Sequence, residues 1–467
     1  MQGGRWRRGT RAGAVITVAV SAVAALGVAL VPSARATQNV STMRFGGGDR
    51  YETARLLAEH AFPGGATAVL LARAQDFPDG AKGFADALAG NYLAGYFNSP
   101  ILLTAADTVP TSTLAALRDL KTKNVGILGG VGAVSQAVAD QLAATASTSS
   151  AGGNLVIGRV AGGDRYQTAQ MIAEIPPTTY IKPVNGMRTA LVARGDNFPD
   201  ALAGGPLADA AALPLILTTT DSLNPSAQKA LQDLGIQQVL ILGGGSAVSP
   251  ATEAQINALG IKSQRLDGAN RQQTAAAIAD FAIANLGFKA TLADLARGDD
   301  YPDALAGGPE AAKAGPVVIV LTGSPTELSA DTRAWIRSHD STLSEIDAFG
   351  LQAAVSDSVL ADAAGTATCA PSGSGTSLPV TLPVTLPGGG TTMPGGGGTS
   401  TTGASTSSSV PPCSTPPTTA GSTTTGGLPT TLPGGGTTTT APAGGTTTTT
   451  SAGGTTTTTV CVMGVCV

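Results

Sequence analysis

The chain has 467 residues, with 27 Lys and Arg against 31 Asp and Glu, two histidines and four cysteines. Five of the arginines lie within residues 1–36, where there is no acid, so the rest carries 22 basic against 31 acidic residues, a net charge of −9. That balance excludes recognition of nucleic acid by bulk positive charge, and the two histidines, His60 and His339, do not recur at matching positions.

Residues 1–36 have the layout of a secretory signal. Arg5, Arg7, Arg8 and Arg11 precede an apolar run from Ala14 to Val31, and Ala-Arg-Ala at 34–36 fits a cleavage site. The expected product starts near Thr37, is secreted, and keeps no integral membrane segment. The competing reading is an uncleaved anchor, because a run of about 18 apolar residues is near the lower limit for spanning a bilayer.

Between 41 and 366 the chain repeats itself with a period of roughly 105–115 residues, the size of a small domain. Each copy opens on one phrase: FGGGDRYETA at 45–54, VAGGDRYQTA at 160–169 and LDGANRQQTA at 266–275. The phrase runs into a predicted helix. Next comes an apolar strand ending in Ala-Arg, then a small-residue helix opening at Asp86, Asp200 and Asp303. A second strand follows (PILLT, PLILT, PVVIVLT), then an amphipathic helix, and a third strand closing in a Gly turn and Ala-Val-Ser. Apolar runs alternating with helical patterns predict a parallel sheet covered on both faces, so each copy is expected to be a three-layer α/β unit. The expected copies are 41–150, 155–260 and 261–366, with TASTSSAGGN at 145–154 linking the first two. Copies this small gain by burying surface against one another, which favours a compact trio over beads on a string.

Residues 367–467 contain no Asp, Glu, Lys, Arg or His and are dominated by Thr, Gly, Pro and Ser. Such a segment lacks the apolar surface to offset its chain entropy, so it is expected to be disordered, as a stalk or spacer. All four cysteines, Cys369, Cys413, Cys461 and Cys466, lie here, and their even number in an exported chain points to disulfides of open connectivity.

The motifs GGDRYETA, ARGDNFPDALAGGPLA, PLILTTT and LILGGGSAVS resemble the bacterial cell wall binding repeat family, the type 2 module that occurs in threes. The resemblance spans all three copies. It implies Rossmann-like or Toprim-like α/β modules packed as one pseudo-threefold unit at the cell surface, holding anionic wall polymers non-covalently.

Read physically, much of the repeated phrase is helix punctuation. Asp49, Asp164 and Asn270 stand at N-cap positions with Glu52, Gln167 and Gln273 three residues on, a capping-box spacing. Arg50, Arg165 and Arg271 fall at the first helical position, where the macrodipole disfavours a cation. Two readings stand for them: a pair with a carboxylate of the neighbouring unit, or a hold on an anion. Arg73, Arg194 and Arg297 end strands, at the edge where open parallel sheets present ligand crevices, and Asp76, Asp196 and Asp299 follow closely. They either brace a loop or contact polymer. Arg44, Arg159 and Arg265 complete a set of three arginines per copy. The turns LGGVGAVS and LGGGSAVS match no nucleotide-binding fingerprint, so no cofactor is expected.

The copies also differ. Copy 1 has an insertion that leaves either Asp79 or Asp86 to align with Asp200, and copy 3 carries Ala269, Gln272 and Phe349-Gly350-Leu351 in place of motif residues. The functional expectation is a non-catalytic surface protein with a displayed Thr-rich tail and no metal site. The alternative is a metal-dependent wall hydrolase or phosphoryl-transfer enzyme using Asp196 with Asp200, or Asp299, Asp300 and Asp303.

Overall fold

A computed structural model describes residues 39–368, together with the backbone of four short strands near the C-terminus. The chain divides into 1–36 and 37–467; the expected signal lies outside the described residues, as do Cys369 and Cys413.

The first sheet contains β2 (Ala68–Arg73), β3 (Ile101–Thr104), β4 (Asn124–Leu128) and β5 (Val156–Val160), in the order β3-β2-β4-β5, all parallel. The second repeats this with β7 (Met187–Arg194), β8 (Leu215–Thr218), β9 (Gln238–Leu242) and β10 (Lys262–Leu266), in the order β8-β7-β9-β10; β6 (Pro183–Val184) adds a short antiparallel edge. The third uses β11 (Leu292–Ala296), β12 (Val318–Leu321) and β13 (Glu345–Phe349), and its fourth strand is β1 (Ser41–Phe45) from the start of the chain. The sequence repeat is therefore not the sheet. The strand that opens each copy is the edge strand of the sheet before it, and β1 closes the series by pairing with β13 in register from Ser41 opposite Glu345 to Phe45 opposite Phe349.

The strands that follow the phrase are nearly continuous buried runs, β3 and β8 included although they stand at sheet edges, as a parallel sheet covered on both faces demands. The edge strands β1, β5 and β10 alternate exposed or half-buried residues with a buried last position, which is why their short sequences do not announce themselves.

The outer helices are α1 (Arg50–Ala61), α3 (Thr111–Asp119), α4 (Gln136–Ala143), α5 (Arg165–Glu174), α8 (Pro225–Asp233), α9 (Pro250–Ala258), α10 (Arg271–Leu286), α12 (Ala330–Ser338) and α13 (Asp357–Thr368). The inner ones are α2 (Ala85–Phe97), the α6 (Pro199–Ala203) and α7 (Gly205–Ala210) pair, and α11 (Gly307–Lys313). Small side chains let these inner helices meet, and one large apolar cluster runs through all three copies. Just before α2 and α6, and at the matching place in copy 3, Phe84, Phe198 and Tyr301 form a triangle of rings with centroids 6.1, 5.6 and 5.2 Å apart. These three equivalent residues mark the pseudo-threefold axis. Lower down, Asn91 is buried at the place taken by Gly205 and Gly308 in the other copies, and a Cβ on Gly308 would stand 1.9 Å from Asn91 Oδ1. Two glycines thus make the room that one asparagine fills.

In the tail, β14 (Thr447–Thr450) pairs with β15 (Thr456–Thr459), and β16 (Cys461–Val462) with β17 (Val465–Cys466), which sets the Cys461 backbone opposite that of Cys466. Among the described residues no helix is long and apolar enough to cross a membrane.

Candidate functional site: the clefts between copies

In each sheet the first strand after the phrase has the second strand on one side and the third on the other, so the connections leave in opposite directions from the gap between first and third. That gap, at the C-terminal ends of β2 and β4, β7 and β9, and β11 and β13, is the topological switch point where open α/β sheets hold ligands. Here each copy meets the phrase of the next.

The caps are local. Asp49 accepts from the N–H groups of Tyr51 and Glu52, Asp164 from that of Gln167, and Asn270 from that of Gln273. The returning bond of a capping box is displaced: Gln167 and Gln273 accept from Gly163 and Ala269, one residue before the cap, and Glu52 pairs with Arg55 instead. Sequence reasoning gave no role to the Thr that recurs in each phrase, yet Thr53, Thr168 and Thr274 accept from Gly47, Gly162 and Gly268 and so fix the loop that forms one cleft wall.

The opposite wall is the turn after the third strand. Gly129, Gly243 and Gly350 have φ of +99, +98 and +93°, and a Cβ there would fall 2.3, 2.5 and 2.6 Å from Oδ2 of Asp86, Asp200 and Asp303. Glycine is required at these turns by backbone conformation and by space. The same contacts identify Asp86 as the partner of Asp200 and Asp303; Asp79 is exposed on a loop, accepting from Ala81. The seven additional residues of copy 1 are therefore 77–83.

The nine arginines separate by position. Arg44, Arg159 and Arg265 lie on the edge strands and donate to the carbonyls of Gly350, Gly129 and Gly243 at 2.9, 2.8 and 2.7 Å, locking the glycine turns. Arg44 and Arg265 also pair with Asp357 and Glu253.

Arg50, Arg165 and Arg271 each donate to the carbonyl after the strand-end arginine of their own copy: Ala74 at 2.6 Å, Gly195 at 2.8 Å, and Gly298. Across the junction they face the carboxylate of the preceding copy, Arg50 opposite Asp303, Arg165 opposite Asp86 and Arg271 opposite Asp200. Arg165 and Arg271 also lie 5.9 and 5.6 Å from the rings of Phe84 and Phe198. Burial pushes Asp86 and Asp200 up to about 6 and raises Asp303, while the facing arginines oppose the shift; Thr274 and Thr53 bond to Asp200 and Asp303.

The strand-end arginines are braced. Arg194 makes a two-pronged pair with Asp196 at 2.6 and 2.8 Å, and Arg297 one with Asp299 at 2.9 Å on both prongs. In copy 1 Gln75 stands where those acids would be, and the buried Arg73 donates instead to the carbonyls of Gln75 and Asp76 at 2.7 and 2.6 Å. Asp76 turns its carboxylate to Lys82 at 2.7 Å and to the Tyr301 hydroxyl. The acids named for a metal alternative are thus distributed: Asp196 and Asp299 onto arginines, Asp200 and Asp303 into the junctions. Among the described residues no three His, Cys, Asp or Glu side chains stand where they could share a metal ion.

At the first junction the walls enclose a cavity of about 340 Å³, lined by Arg73, Phe77, Lys82 and Asp86 on the copy 1 side and by Asp164 and Arg165 on the copy 2 side. Its size is at the small end of ligand pockets, which run from about 300 to 1,000 Å³.

The sequence pattern of Cell wall binding domain 2 (CWB2) matches residues 44–139, 159–253 and 265–360. The chain is similar to the N-acetylmuramoyl-L-alanine amidase LytC of Bacillus subtilis (29% identity over 296 residues, 63% of this chain and 53% of LytC) and to that organism's amidase enhancer (31% over 272 residues, 58% and 33%). It therefore spans about half or less of these relatives. Among solved structures it is similar to Cwp8 (TM-score 0.58, 26% identity, covering 70% of this chain and 52% of that one) and Cwp6 (0.57, 25%, 70% and 48%) of Clostridium difficile. With three matched copies on a three-sheet frame, the chain belongs to the Cell wall binding domain 2 (CWB2) family.

Proposed function

We propose that this chain is a non-catalytic protein of the cell wall surface that holds anionic wall polymer non-covalently at the junctions between its copies. The observation that carries this reading is that each junction gathers an arginine from the strand end of one copy and an arginine from the first helix of the next beside a glycine-rich wall. Guanidinium groups bind carboxylate and phosphate through paired hydrogen bonds, so local geometry draws a polyanion despite a net charge of −9. Membership of a cell wall binding family supports the location, and the likeness to Cwp6 and Cwp8 of Clostridium difficile supports the frame that carries the junctions. Secretion through residues 1–36 and display of a disordered, Thr-rich tail complete the proposal. The amidase activity named for LytC belongs to a protein of which this chain matches 53%.

The test is sedimentation of the full chain with Gram-positive walls before and after their anionic polymers are stripped. Binding is expected to disappear on stripping, and to fall at least about tenfold when Arg50, Arg165 and Arg271 are all changed to Ala in a chain that remains folded. Equal sedimentation with stripped walls would contradict the reading.

A further inference from the structure

The three junctions share a plan but not a shape, and the differences all point to one of them. At the second junction the Arg194 fork is closed on Asp196, and Asp267 adds a carboxylate to the wall, 3.5 Å from where a Cβ on Gly244 would lie. At the third, Arg297 is closed on Asp299 with Asp300 4.0 Å away, and Leu351 takes the place of Gly130 and Gly244. The first has neither obstruction. Gly130 and Ala161 leave its mouth open, and Gln75 leaves Arg73 without a facing carboxylate. Residues 77–83, present only in copy 1, then raise a third wall that carries Phe77 and Lys82. Arg73 is buried to 6% exposure, its guanidinium 4.0 Å from the Phe77 ring centroid, so that wall is fixed from within.

The resulting lining is mixed rather than simply basic. Arg165 makes one hydrogen bond among the described residues, leaving donors on its fork, and Lys82 stands at the rim in a pair with Asp76. Asp79, Asp164 and the Asp86 that faces Arg165 provide acceptors, and Phe77 provides an apolar wall. A bare anion would meet these carboxylates as repulsion. A ring bearing several hydroxyls and one acid group matches every element: hydroxyls donate to the carboxylates, the acid group takes the cations, and the ring's carbon face lies along Phe77.

We propose that the insertion at 77–83 makes the first junction, and not the other two, a pocket for one negatively charged sugar residue of the wall polymer. This rests on the wall-binding reading and narrows it from three equivalent clefts to a single seat.

The experiment is ligand-observed saturation-transfer NMR on the full chain, with glucuronate, glucose 6-phosphate, glucose and inorganic phosphate as separate millimolar probes. Both charged sugars are expected to bind at one site per chain, at least about tenfold more tightly than glucose or phosphate alone. Removing residues 77–83, or Arg165→Ala, is expected to abolish the signal, and Lys229→Ala, exposed on α8 away from the junctions, to preserve it. Should the shortened chain not fold, Lys82→Ala at an exposed position and Phe77→Ala replace it, each expected to weaken binding several-fold. The proposal is overturned by three equivalent sites, by equal binding of phosphate alone, by no transfer to either charged sugar, or by binding that survives loss of the insertion. Sedimentation of the same chains with walls separates the two levels. A chain that sediments while failing these sugar tests overturns the pocket alone, and one that neither sediments nor binds sugar overturns wall binding as well.

Discussion

Thr274 stands in the first turn of α10, where its hydroxyl accepts from Gly268 at 3.2 Å and bonds to the half-buried Asp200 of the preceding copy. One small side chain thus holds a loop and a junction together. Thr274→Val keeps the shape and deletes the hydroxyl, leaving Asp200 without that donor, and is expected to cost about 1–3 kcal/mol in chemical unfolding. No measurable loss would mean that the junction carboxylates are held by arginine alone. At this scale the sequence was most legible where partners are neighbours. Asp49, Asp164 and Asn270 lie three residues from the N–H they cap, and that spacing is visible by inspection. The partners of Arg50, Arg165 and Arg271 were left open between a neighbouring carboxylate and an anion, because the facing acid lies in another copy and no local pattern encodes it.

Among elements, α2, α7 and α11 carry the assembly, and their packing depends on size complementarity at one level of the axis. Asn91 donates to the carbonyls of Ala87 and Leu88 at 3.3 and 3.1 Å, and Gly308 leaves space for its side-chain oxygen. Gly308→Ala is expected to destabilise by about 1–3 kcal/mol through overpacking, and Asn91→Ala in the same chain to restore part of that loss. A double variant whose thermal midpoint merely adds the two single losses would contradict the contact. The alternation of apolar runs and helical patterns made the inner strands and helices readable. The strands that open each copy were not, since STMRF, VIGRV and KSQRL are short, half-exposed and joined directly to the phrase. Each makes its pairing with the sheet of the preceding copy, and β1 does so across some 300 residues of chain, as the 304-residue separation between Met43 and its partner Asp347 shows. Only a ring of copies makes that pairing possible, and a repeat read one copy at a time conceals it.

For the molecule as a whole, the closure of copy 3 onto copy 1 is chemically unlike the other two. Asp294 and Asp347 face each other in register at positions held by Leu70 and Gly126 in copy 1 and by Leu191 and Leu240 in copy 2. Glu310 packs nearby, its Oε1 3.1 Å from His60 Nδ1 on α1, while β1 contributes the Met43 N–H to Asp347 at 3.1 Å. Both oxygens of the fully buried Asp294 and one of Glu310 have no hydrogen-bond partner among the described residues. Burial first, then the neighbouring acids including Glu345, pushes Asp347 up to about 6, Glu310 to about 8 and Asp294 well above its usual range. These groups bind protons more tightly folded than unfolded. Their stability is therefore present in full below the ordinary carboxylate range near pH 4 and is lost as pH rises through about 6 and then about 8. Glu310→Gln is expected to gain at least about 1 kcal/mol at alkaline pH and to flatten the decline in thermal midpoint. An unchanged pH profile would show that the closure does not depend on these protons.

The central claim, that polymer is held between copies, is tested most directly by hydrogen–deuterium exchange of the full chain with and without purified anionic wall polymer. Protection is expected in residues 73–86, 129–134 and 162–168, where the strand end, the glycine turn and the repeated phrase meet, with α3, α8 and α12 unchanged. Protection confined to those outer helices or to the Thr-rich tail would contradict it.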